Sequence, residues 1–373
     1  CGTCLSFCPV YKNTNDEAAA PRGKLSLIEA ISQGKLDFTE KVSDKIYICT
    51  MCGYCDSECP GGVKVAELFE EMRQDLVDSE KYPRALNFLK RRINEAYNVT
   101  FDTNEGRIDW TKQILDSKPE DFLKNTAEVI YFVGCVSSFS PRTFSIPRSI
   151  VKVFRKADVD FGLLGDEEWC CGFPLLSSGM KSEAMKLADH NIKMVREKEA
   201  KVLITSCPSC YHTWKHEYPK ISSEKIDFEI MHISQYILKL INDGKIKLNK
   251  LDRRVSYHDP CDLGRNSDVY DEPRKVIGAI PGVEFIELEA NRNFANCCGG
   301  GGNLESLDAG LSGKIAGSRA REIIEADIDI LVSACQQCER TLAAALKKLK
   351  KEVKRKIKVR DIAELVLESM DAE

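Results

Sequence analysis

Short apolar runs alternate with amphipathic segments along roughly the last two thirds of the chain. The runs are residues 128–134, 201–205, 254–258, 283–288 and 329–333. They are rich in β-branched, aromatic and leucine residues, which is typical of buried strands. Between them, apolar residues recur every three or four positions, which predicts helices. These helices are residues 147–156, 182–198 and 308–325. Such alternation of strand and helix predicts parallel α/β sheets.

The first hundred residues show mainly helical periodicity. Pro21 suits the first turn of a helix whose apolar residues fall at positions 25, 27, 28 and 31. The same reasoning predicts helices over 65–77 and 83–96. The stretch from 100 to 125 is polar, and we interpret it as a linker with a short helix. The N-terminal part is therefore predicted to be an α-helical domain.

Ten cysteines in the later part of the chain form two copies of one pattern. The copies are Cys135, Cys170, Cys171, Cys207 and Cys210, then Cys261, Cys297, Cys298, Cys335 and Cys338. Corresponding positions are 126, 127 and 128 residues apart, and so uniform an offset indicates an internal duplication. In both copies, cysteines follow predicted strands, at the sheet edge where such folds bind ligands. The predicted domains are 1–100, a linker over 101–126, and two duplicated parallel-sheet domains over 127–248 and 249–373.

Composition and charge narrow the classes of function. Hydrophobic residues make up 43% and charged residues 30% of the 373-residue chain, which is ordinary for a globular protein. The net charge of −4 gives no reason to expect a nucleic-acid partner. No apolar run approaches the ~20 residues of a transmembrane helix, and the chain opens on Cys1 without a signal peptide. We therefore expect a cytoplasmic protein.

The 17 cysteines of the chain require a chemical explanation. Disulfide frameworks are usual in small secreted chains. This chain is large, shows no export signal and has an odd number of cysteines, which leaves at least one thiol unpaired. We therefore interpret the cysteines as thiolate ligands of metal rather than as disulfides.

Seven cysteines near the N-terminus form two ferredoxin-type motifs. The motifs are Cys49-x2-Cys52-x2-Cys55-x3-Cys59-Pro60 and Cys1-x2-Cys4-x3-Cys8-Pro9. The second lacks its first cysteine, which we expect three residues before Cys1. In such runs three cysteines bind one cluster and the fourth binds the other. The predicted [4Fe–4S] ligands are Cys49, Cys52, Cys55 and Cys8 for one cubane, and Cys1, Cys4, Cys59 and the missing cysteine for the other. Zinc is the alternative, but zinc sites typically pair two C-x2-C motifs.

Each repeat offers five thiolates, one more than a cubane cluster binds. Adjacent cysteines suit an unusual, opened cluster in which a thiolate bridges irons. The glycine after each pair, Gly172 or Gly299, allows backbone N–H groups to approach cluster sulfur. Two alternatives remain open. The glycines at 299–302 also suit a phosphate-binding loop, and the segment from Cys207 to Cys210 also suits a thioredoxin-like dithiol.

These motifs resemble those of the family formed by the D subunits of heterodisulfide reductase and their relatives with "CCG" cysteine-rich domains. The resemblance rests on the ferredoxin motifs, on Cys170-Cys-Gly-Phe-Pro174 and on Tyr257-His-Asp-Pro-Cys261-Asp-Leu-Gly-Arg265. It implies a noncubane [4Fe–4S] cluster on the five cysteines of each repeat, in addition to the two cubane clusters. It also implies reductive cleavage of the disulfide substrate formed by coenzymes M and B. The implied electron partner is a cytochrome b membrane subunit or a flavoprotein, which would hold the chain on the inner face of the membrane.

The resemblance also supplies candidate catalytic residues. These are Cys170, Cys171, Cys297, Cys298, His258 and Asp262. Family members often have His where this chain has Asp262, so the proton donor is expected to be Asp262, His258 or water. Arg265 is a candidate for binding an acidic group of the substrate, with a salt bridge as the alternative. Iron–sulfur subunits of flavin-linked glycolate, lactate and glycerol-3-phosphate dehydrogenases share the resemblance and provide the alternative function.

Overall fold

The N-terminal part is helical in the computed structural model of the chain, which describes residues 1–115, 117–350 and 356–372. Its helices are α1 (Thr3–Phe7), α2 (Pro9–Thr14), α3 (Pro21–Ser32), α4 (Glu40–Tyr47), α5 (Tyr54–Ser57), α6 (Val65–Asp78) and α7 (Ala85–Ala96), with a 3₁₀ helix at Glu17–Ala19. The three helices predicted in this part are confirmed as α3, α6 and α7. Pro21 lies in the first turn of α3, where its missing N–H costs no hydrogen bond.

The first repeat alternates strands and helices as predicted. Its elements are β1 (Val129–Phe132), α8 (Cys135–Phe139), α9 (Ser145–Lys156), β2 (Phe161–Gly162), α10 (Phe173–Leu176), α11 (Lys181–Glu197), β3 (Val202–Thr205), α12 (Pro208–His212), α13 (Tyr218–Ile221), β4 (Glu229–His232) and α14 (Ile233–Asn242). Short 3₁₀ helices at Pro141–Thr143 and Gly165–Glu167 and a π-helical segment at Thr213–Glu217 join them. The four strands are parallel and lie in the order β2-β1-β3-β4.

The second repeat has the same architecture. Its elements are β5 (Arg253–His258), α15 (Asp271–Gly278), β6 (Val283–Phe285), α16 (Leu304–Leu307), α17 (Ala309–Glu325), β7 (Ile330–Ser333), α18 (Gln336–Lys348), β8 (Lys358–Asp361) and α19 (Ile362–Asp371), with a 3₁₀ helix at Arg292–Phe294. The parallel order β6-β5-β7-β8 matches that of the first sheet. The predicted fold class, two parallel α/β units after a helical part, is confirmed. The exact domain boundaries remain predictions.

The two repeats pack against each other through two equivalent helix–helix contacts. The helix that follows the first strand of one repeat packs against the last helix of the other, so that α9 contacts α19 and α15 contacts α14. One hydrophobic core joins both repeats and includes Tyr131 and Trp214 from the first and Tyr257 and Ile362 from the second. This reciprocal packing holds the two sheets in a fixed mutual orientation.

The segment interpreted as a linker packs against the first repeat. It forms 3₁₀ helices at Asn104–Gln113 and Pro119–Phe122. Trp110 and Arg107 are buried, and Arg107 forms a salt bridge of 2.8 Å with Glu168. The polar sequence did not indicate this packing, because an ion pair provides part of the buried contact.

Candidate active site

Both repeats open onto one cavity of about 700 Å³. The cysteines of its wall are Cys135, Cys170, Cys171, Cys207, Cys210, Cys261, Cys298, Cys335 and Cys338. Four of them follow strands β1, β3, β5 and β7, the two central strands of each sheet. Parallel strands place their carboxyl ends at one edge of a sheet. The packing of the two repeats places these edges of both sheets at the same cavity.

The thiols of the first repeat contact one another in sequence. The thiol of Cys135 is in hydrogen-bonding contact with that of Cys170, and Cys171 contacts both Cys170 and Cys210. Cys210 also contacts Cys207. The five cysteines predicted to act together are therefore brought together by the fold. All 17 cysteines lie within the described residues, and all are free thiols.

The second repeat adds an imidazole to its thiols. Cys338 Sγ lies 3.2 Å from Cys298 Sγ, and these two cysteines contact Cys335 and Cys297 respectively. The ligand atoms of His258, Cys298 and Cys338 all lie within 4.8 Å of one another. Thiolate and imidazole ligands suit soft and borderline transition metals, so the residues present fit an iron–sulfur group.

The glycine of each CCG motif is required by its backbone conformation. Gly172 has φ of 84° and Gly299 has φ of 83°, in the left-handed region that favours glycine. Their N–H groups point back to the motif, with N···Sγ distances of 3.5 Å to Cys170 and 3.3 Å to Cys297. A Cβ on Gly299 would also overlap the carbonyl oxygen of Ser312. The sequence Cys-Cys-Gly therefore forms a tight turn that wraps around its own first thiol.

A smaller hollow in the helical part is lined by Cys8, Cys49, Cys52 and Cys55. These are the four residues that the ferredoxin motifs assign to one cluster. Of these four, Cys8 and Cys52 are buried and Cys49 and Cys55 are half-buried, whereas none of the other three cysteines of this part is buried. Cys1 is exposed, and Cys4 and Cys59, which interact electrostatically, are half-buried.

Two buried cations lie beside this hollow. Lys24 donates a hydrogen bond of 2.7 Å to the carbonyl oxygen of Ile48, and burial lowers its pKa, against the opposing influence of the Cys49 thiol. Arg73 donates to the carbonyl oxygen of Tyr47 at 3.2 Å. Neither cation forms a salt bridge in the described part of the chain. Because a buried charge needs a counter-charge, this pair favours an anionic occupant such as a thiolate-ligated cluster.

The helical part meets the second repeat next to both sets of cysteines. Arg265 donates from Nε to the carbonyl oxygen of Cys52 at 2.8 Å, and from Nη1 to two further backbone carbonyls. The thiols of Cys52 and Cys297 are in hydrogen-bonding contact. A Cβ on Gly301 would overlap the carbonyl oxygen of Thr50, so the two backbones touch. Arg265 therefore joins the two parts through backbone carbonyls, and it forms no salt bridge among the described residues. Its binding of an acidic substrate group remains a prediction.

Asp262 lies between the two repeats on the cavity wall. Its carboxylate accepts hydrogen bonds from the hydroxyl of Ser209 and, at 2.8 Å, from Nδ2 of Asn266. Ser209 lies between the last two cysteines of the first repeat. A second bond links the repeats where Gln336 Nε2 donates to Ser206 Oγ at 2.7 Å. Both closely spaced cysteine pairs are therefore anchored to the opposite repeat.

His258 is buried against Arg319, whose Nε lies 3.4 Å from His258 Nδ1. Burial, and then the Arg319 guanidinium, lower the pKa of His258 to about 3. The ring is therefore neutral near pH 7, and its proton lies on Nε2 because Nδ1 accepts a bond. The role of His258 as a proton donor remains a prediction.

A buried ion pair beside the first repeat was not predicted from the sequence. The pair is formed by Arg107 and Glu168. Arg107 Nη2 lies 3.6 Å from Cys135 Sγ. The Glu168 carboxylate accepts hydrogen bonds of 2.8 Å from the N–H groups of Val133 and Gly134. The pair therefore fixes the loop that leads to Cys135. Arg107 lies 28 residues before that cysteine, in the supposed linker, and no motif marks it.

Comparisons with known proteins match the same three parts. The "Cysteine-rich domain" family matches residues 129–215 and 255–343, and the "4Fe-4S dicluster domain" family matches residues 1–63. The D subunit of the dihydromethanophenazine:CoB–CoM heterodisulfide reductase of Methanosarcina mazei is 32% identical, over 100% of this chain and 93% of that protein. The chain belongs to the family of heterodisulfide reductase D subunits. The resemblance inferred from the motifs is confirmed.

The chain is also similar in sequence to other oxidoreductases. The EtfAB:quinone oxidoreductase of Syntrophomonas wolfei is 31% identical, over 88% of this chain and 47% of that protein. The B subunit of the fumarate reductase (CoM/CoB) of Methanothermobacter marburgensis is 27% identical, over 98% of this chain and 70% of that protein. The chain is accordingly an iron–sulfur oxidoreductase subunit.

Proposed function

We propose that the chain reduces the heterodisulfide of coenzymes M and B, or a related disulfide, to two thiols. The observation that carries this proposal is the single cavity of about 700 Å³ on which both cysteine motifs converge. A disulfide has two sulfur atoms, and two matched motifs offer each sulfur similar surroundings. The names of the M. mazei and M. marburgensis relatives contain these coenzymes, which supports the choice of substrate.

The cysteines would hold four clusters in this proposal. Two cubane [4Fe–4S] clusters would bind the seven cysteines of the helical part as the motifs predict, and a noncubane [4Fe–4S] cluster would bind the five cysteines of each repeat. When bound, such clusters supply electrons one at a time and iron with affinity for sulfur. The grouping of thiols around the hollow and the cavity supports these assignments.

The contact between the helical part and the cavity suggests the direction of electron flow. Cys52 of the helical part meets Cys297 of the second repeat, and Arg265 fixes the backbone at this point. No comparable contact is described between the predicted ferredoxin ligands and the cysteines of the first repeat. We propose that the second repeat receives electrons from the helical part.

Cleavage of a disulfide to two thiols takes two protons as well as two electrons. Asp262 is placed on the cavity wall between the repeats, where both product sulfurs would lie within reach. We propose that it relays protons to them. The neutral imidazole of His258 would instead orient a sulfur ligand of the second repeat by donating from Nε2.

An electron donor is also part of the proposal. We propose a cytochrome b subunit or a flavoprotein as the partner, with the chain held at the cytoplasmic face of the membrane through it. Dihydromethanophenazine appears in the name of the M. mazei relative and quinone in that of the S. wolfei relative, and both names support a membrane-linked partner. Of the helices that the structure describes, none has the length and apolar character to cross a bilayer.

The alternative function is an electron-transfer subunit of a flavin-linked glycolate, lactate or glycerol-3-phosphate dehydrogenase. The S. wolfei relative favours it, because the matched region is about half of a protein whose name indicates a quinone as acceptor. In this case the clusters would carry electrons and the cavity would have no disulfide to bind.

Anaerobic reduction of the coenzyme M–coenzyme B heterodisulfide by a reduced viologen dye tests the proposal. The iron-reconstituted protein should oxidise two equivalents of dye and release two thiols for each disulfide. Cys298→Ser, which removes a thiol from the cavity wall, should abolish this turnover while dye still reduces the helical part. Full iron content with no consumption of any disulfide would exclude the proposed function and favour the alternative.

A further inference from the structure

His258 lies at the end of strand β5, three residues before the first cysteine of the second repeat. It is buried, and one of its ring nitrogens lies within 4.8 Å of the sulfur atoms of Cys298 and Cys338. Phe132 holds the corresponding place, three residues before the first cysteine of the first repeat. Its ring packs edge-on against Trp214, with 5.5 Å between the ring centres. The second repeat therefore has an N–H donor where the first repeat has a hydrocarbon ring.

Arg319 of helix α17 holds the His258 ring in place. It is fully buried, and its Nε donates to His258 Nδ1 at 3.4 Å. Its Nη2 donates to the carbonyl oxygen of Ala290 at 2.9 Å, and its Nη1 donates to the Glu322 carboxylate at 2.5 Å. The other oxygen of Glu322 accepts a bond of 2.8 Å from Asn296 Nδ2. The guanidinium therefore cannot turn away from the ring without breaking these bonds.

The contact with Arg319 decides where the proton of the imidazole lies. A guanidinium only donates hydrogen bonds, so His258 Nδ1 is an acceptor and carries no proton. The proton of the ring is then on Nε2. This N–H has no acceptor among the residues that the structure describes, although buried N–H groups are nearly always paired. The sulfur atoms of Cys298 and Cys338 are the acceptors nearby.

We propose that Arg319 is a positioning residue that directs the Nε2–H of His258 to a cysteine sulfur of the second repeat, and that this hydrogen bond raises the reduction potential of the cluster bound there. Hydrogen bonds to ligand sulfur stabilise the reduced cluster, which is the more negative form. The first repeat has a different donor, since Arg107 Nη2 lies 3.6 Å from Cys135 Sγ. Separate groups therefore set the potentials of the two sites. The inference rests on the proposed clusters and not on the proposed substrate.

An anaerobic redox titration of the iron-reconstituted protein, followed by electron paramagnetic resonance, tests the proposal. Cys298→Ser identifies the signal of the second repeat, because it removes a predicted ligand there. His258→Phe gives the second repeat the ring of the first. It should lower the equilibrium constant for one-electron reduction of this site about tenfold, as for the loss of one hydrogen bond to a charged group. A tenfold change corresponds to about 59 mV for a one-electron couple. The potential of the first repeat should not change.

Variants of Arg319 separate positioning from a direct effect of charge. Arg319→Met should lower the potential of the second repeat because the ring is no longer held, whereas Arg319→Lys keeps a donor and should retain most of the potential. In the His258→Phe background, Arg319→Met should cause little further change if it acts through the imidazole. Lys314→Met, at an exposed position of the same helix, is the control for loss of charge and should leave both potentials unchanged.

The possible failures can be told apart. Iron at both repeats with an unchanged potential in His258→Phe would overturn the hydrogen bond, and an equal further fall in the double variant would overturn the positioning role of Arg319. A wild-type second repeat that binds no iron would contradict the proposed clusters and this inference with them. A protein that shows the expected shift but reduces no disulfide would contradict the proposed substrate and support the inference.

Discussion

Arg265 Nε lies 2.8 Å from the carbonyl oxygen of Cys52 and donates a hydrogen bond to it. The bond joins the second repeat to the helical part at a predicted cluster ligand. The thiols of Cys52 and Cys297 meet in the same region, so one arginine fixes the place where the helical part adjoins the cavity motif. In the proposed function, transfer of electrons between the two parts would depend on these backbone contacts as well as on the thiols.

Replacing Gly301 with alanine should slow electron transfer from the helical part to the second repeat. A Cβ there would overlap the carbonyl oxygen of Thr50, so the two backbones must separate. A larger separation should lower the rate of electron transfer, and the overpacking should cost ~1–3 kcal/mol of unfolding free energy. Rapid-freeze electron paramagnetic resonance after mixing with reductant measures the rate.

Gly317→Ala in α17 is the control for the alanine substitution. A Cβ at Gly317 has open space, so the transfer rate should not change, and the helix should gain up to ~1 kcal/mol. Equal transfer rates in the two variants would show that the Gly301 contact is not on the path.

Arg107→Gln should strongly destabilise the first repeat. The substitution leaves the Glu168 carboxylate buried without its partner, and breaking a buried ion pair costs ~3–5 kcal/mol. Urea unfolding followed by circular dichroism measures the loss. Lys201→Gln breaks the pair with Glu128, whose side chains are both mainly exposed, and should cost less than ~1 kcal/mol. Similar costs for the two variants would mean that the buried pair is unimportant.

The bond between Ser209 and Asp262 should couple the two repeats energetically. A hydrogen bond to a charged acceptor contributes ~1.5–3 kcal/mol, so Ser209→Ala should lower the unfolding free energy by about that amount. A double-mutant cycle with Asp262→Asn should give a coupling energy above ~0.5 kcal/mol. Ser223→Ala, which removes an exposed hydroxyl bonded to Asp189, should show no coupling to Asp262. Additive effects of Ser209→Ala and Asp262→Asn would contradict this role.

Exposure to air should remove iron first from the site assigned to Cys1, Cys4 and Cys59. None of these three thiols is buried and Cys1 is exposed, whereas each of the other predicted sites contains at least two buried thiols, such as Cys8 and Cys52. Oxidation follows access to the thiolate. Mössbauer spectra of ⁵⁷Fe-loaded protein, recorded at intervals after oxygen is admitted, resolve the order of loss. Iron that leaves the buried sites first would contradict the assignment of ligands.

The strands that the sequence predicts are mostly those buried on both faces. β1 and β7 are buried along their whole length and form continuous apolar runs. β2 has only two residues, and β4 begins with the exposed Glu229, so neither has a pattern long enough to recognise. The edge strand β6 was predicted because it begins a longer apolar run over 283–288, a signal that β2 and β4 do not have.

The cysteine motifs could be recognised in the sequence because their spacing is local and chemically specific. The residues that serve these motifs are different. Arg107 and Arg265 reach the cysteines or the cavity only through tertiary packing, and isolated arginines carry no signal of their own. The approach of backbone N–H groups at Gly299 to cluster sulfur remains a prediction, whereas the contact of Gly301 and Gly302 with Thr50 became visible only in the fold.

A single-turnover measurement tests the central claim that both repeats act on one disulfide. The reduced protein, freed of dye, is mixed anaerobically with one equivalent of coenzyme M–coenzyme B heterodisulfide, and the thiols released are counted. The wild type should release two thiols for each disulfide, and Cys171→Ser and Cys298→Ser should each release none, although the helical part of both variants is reduced. Release of two thiols at the wild-type rate by either variant would contradict the claim.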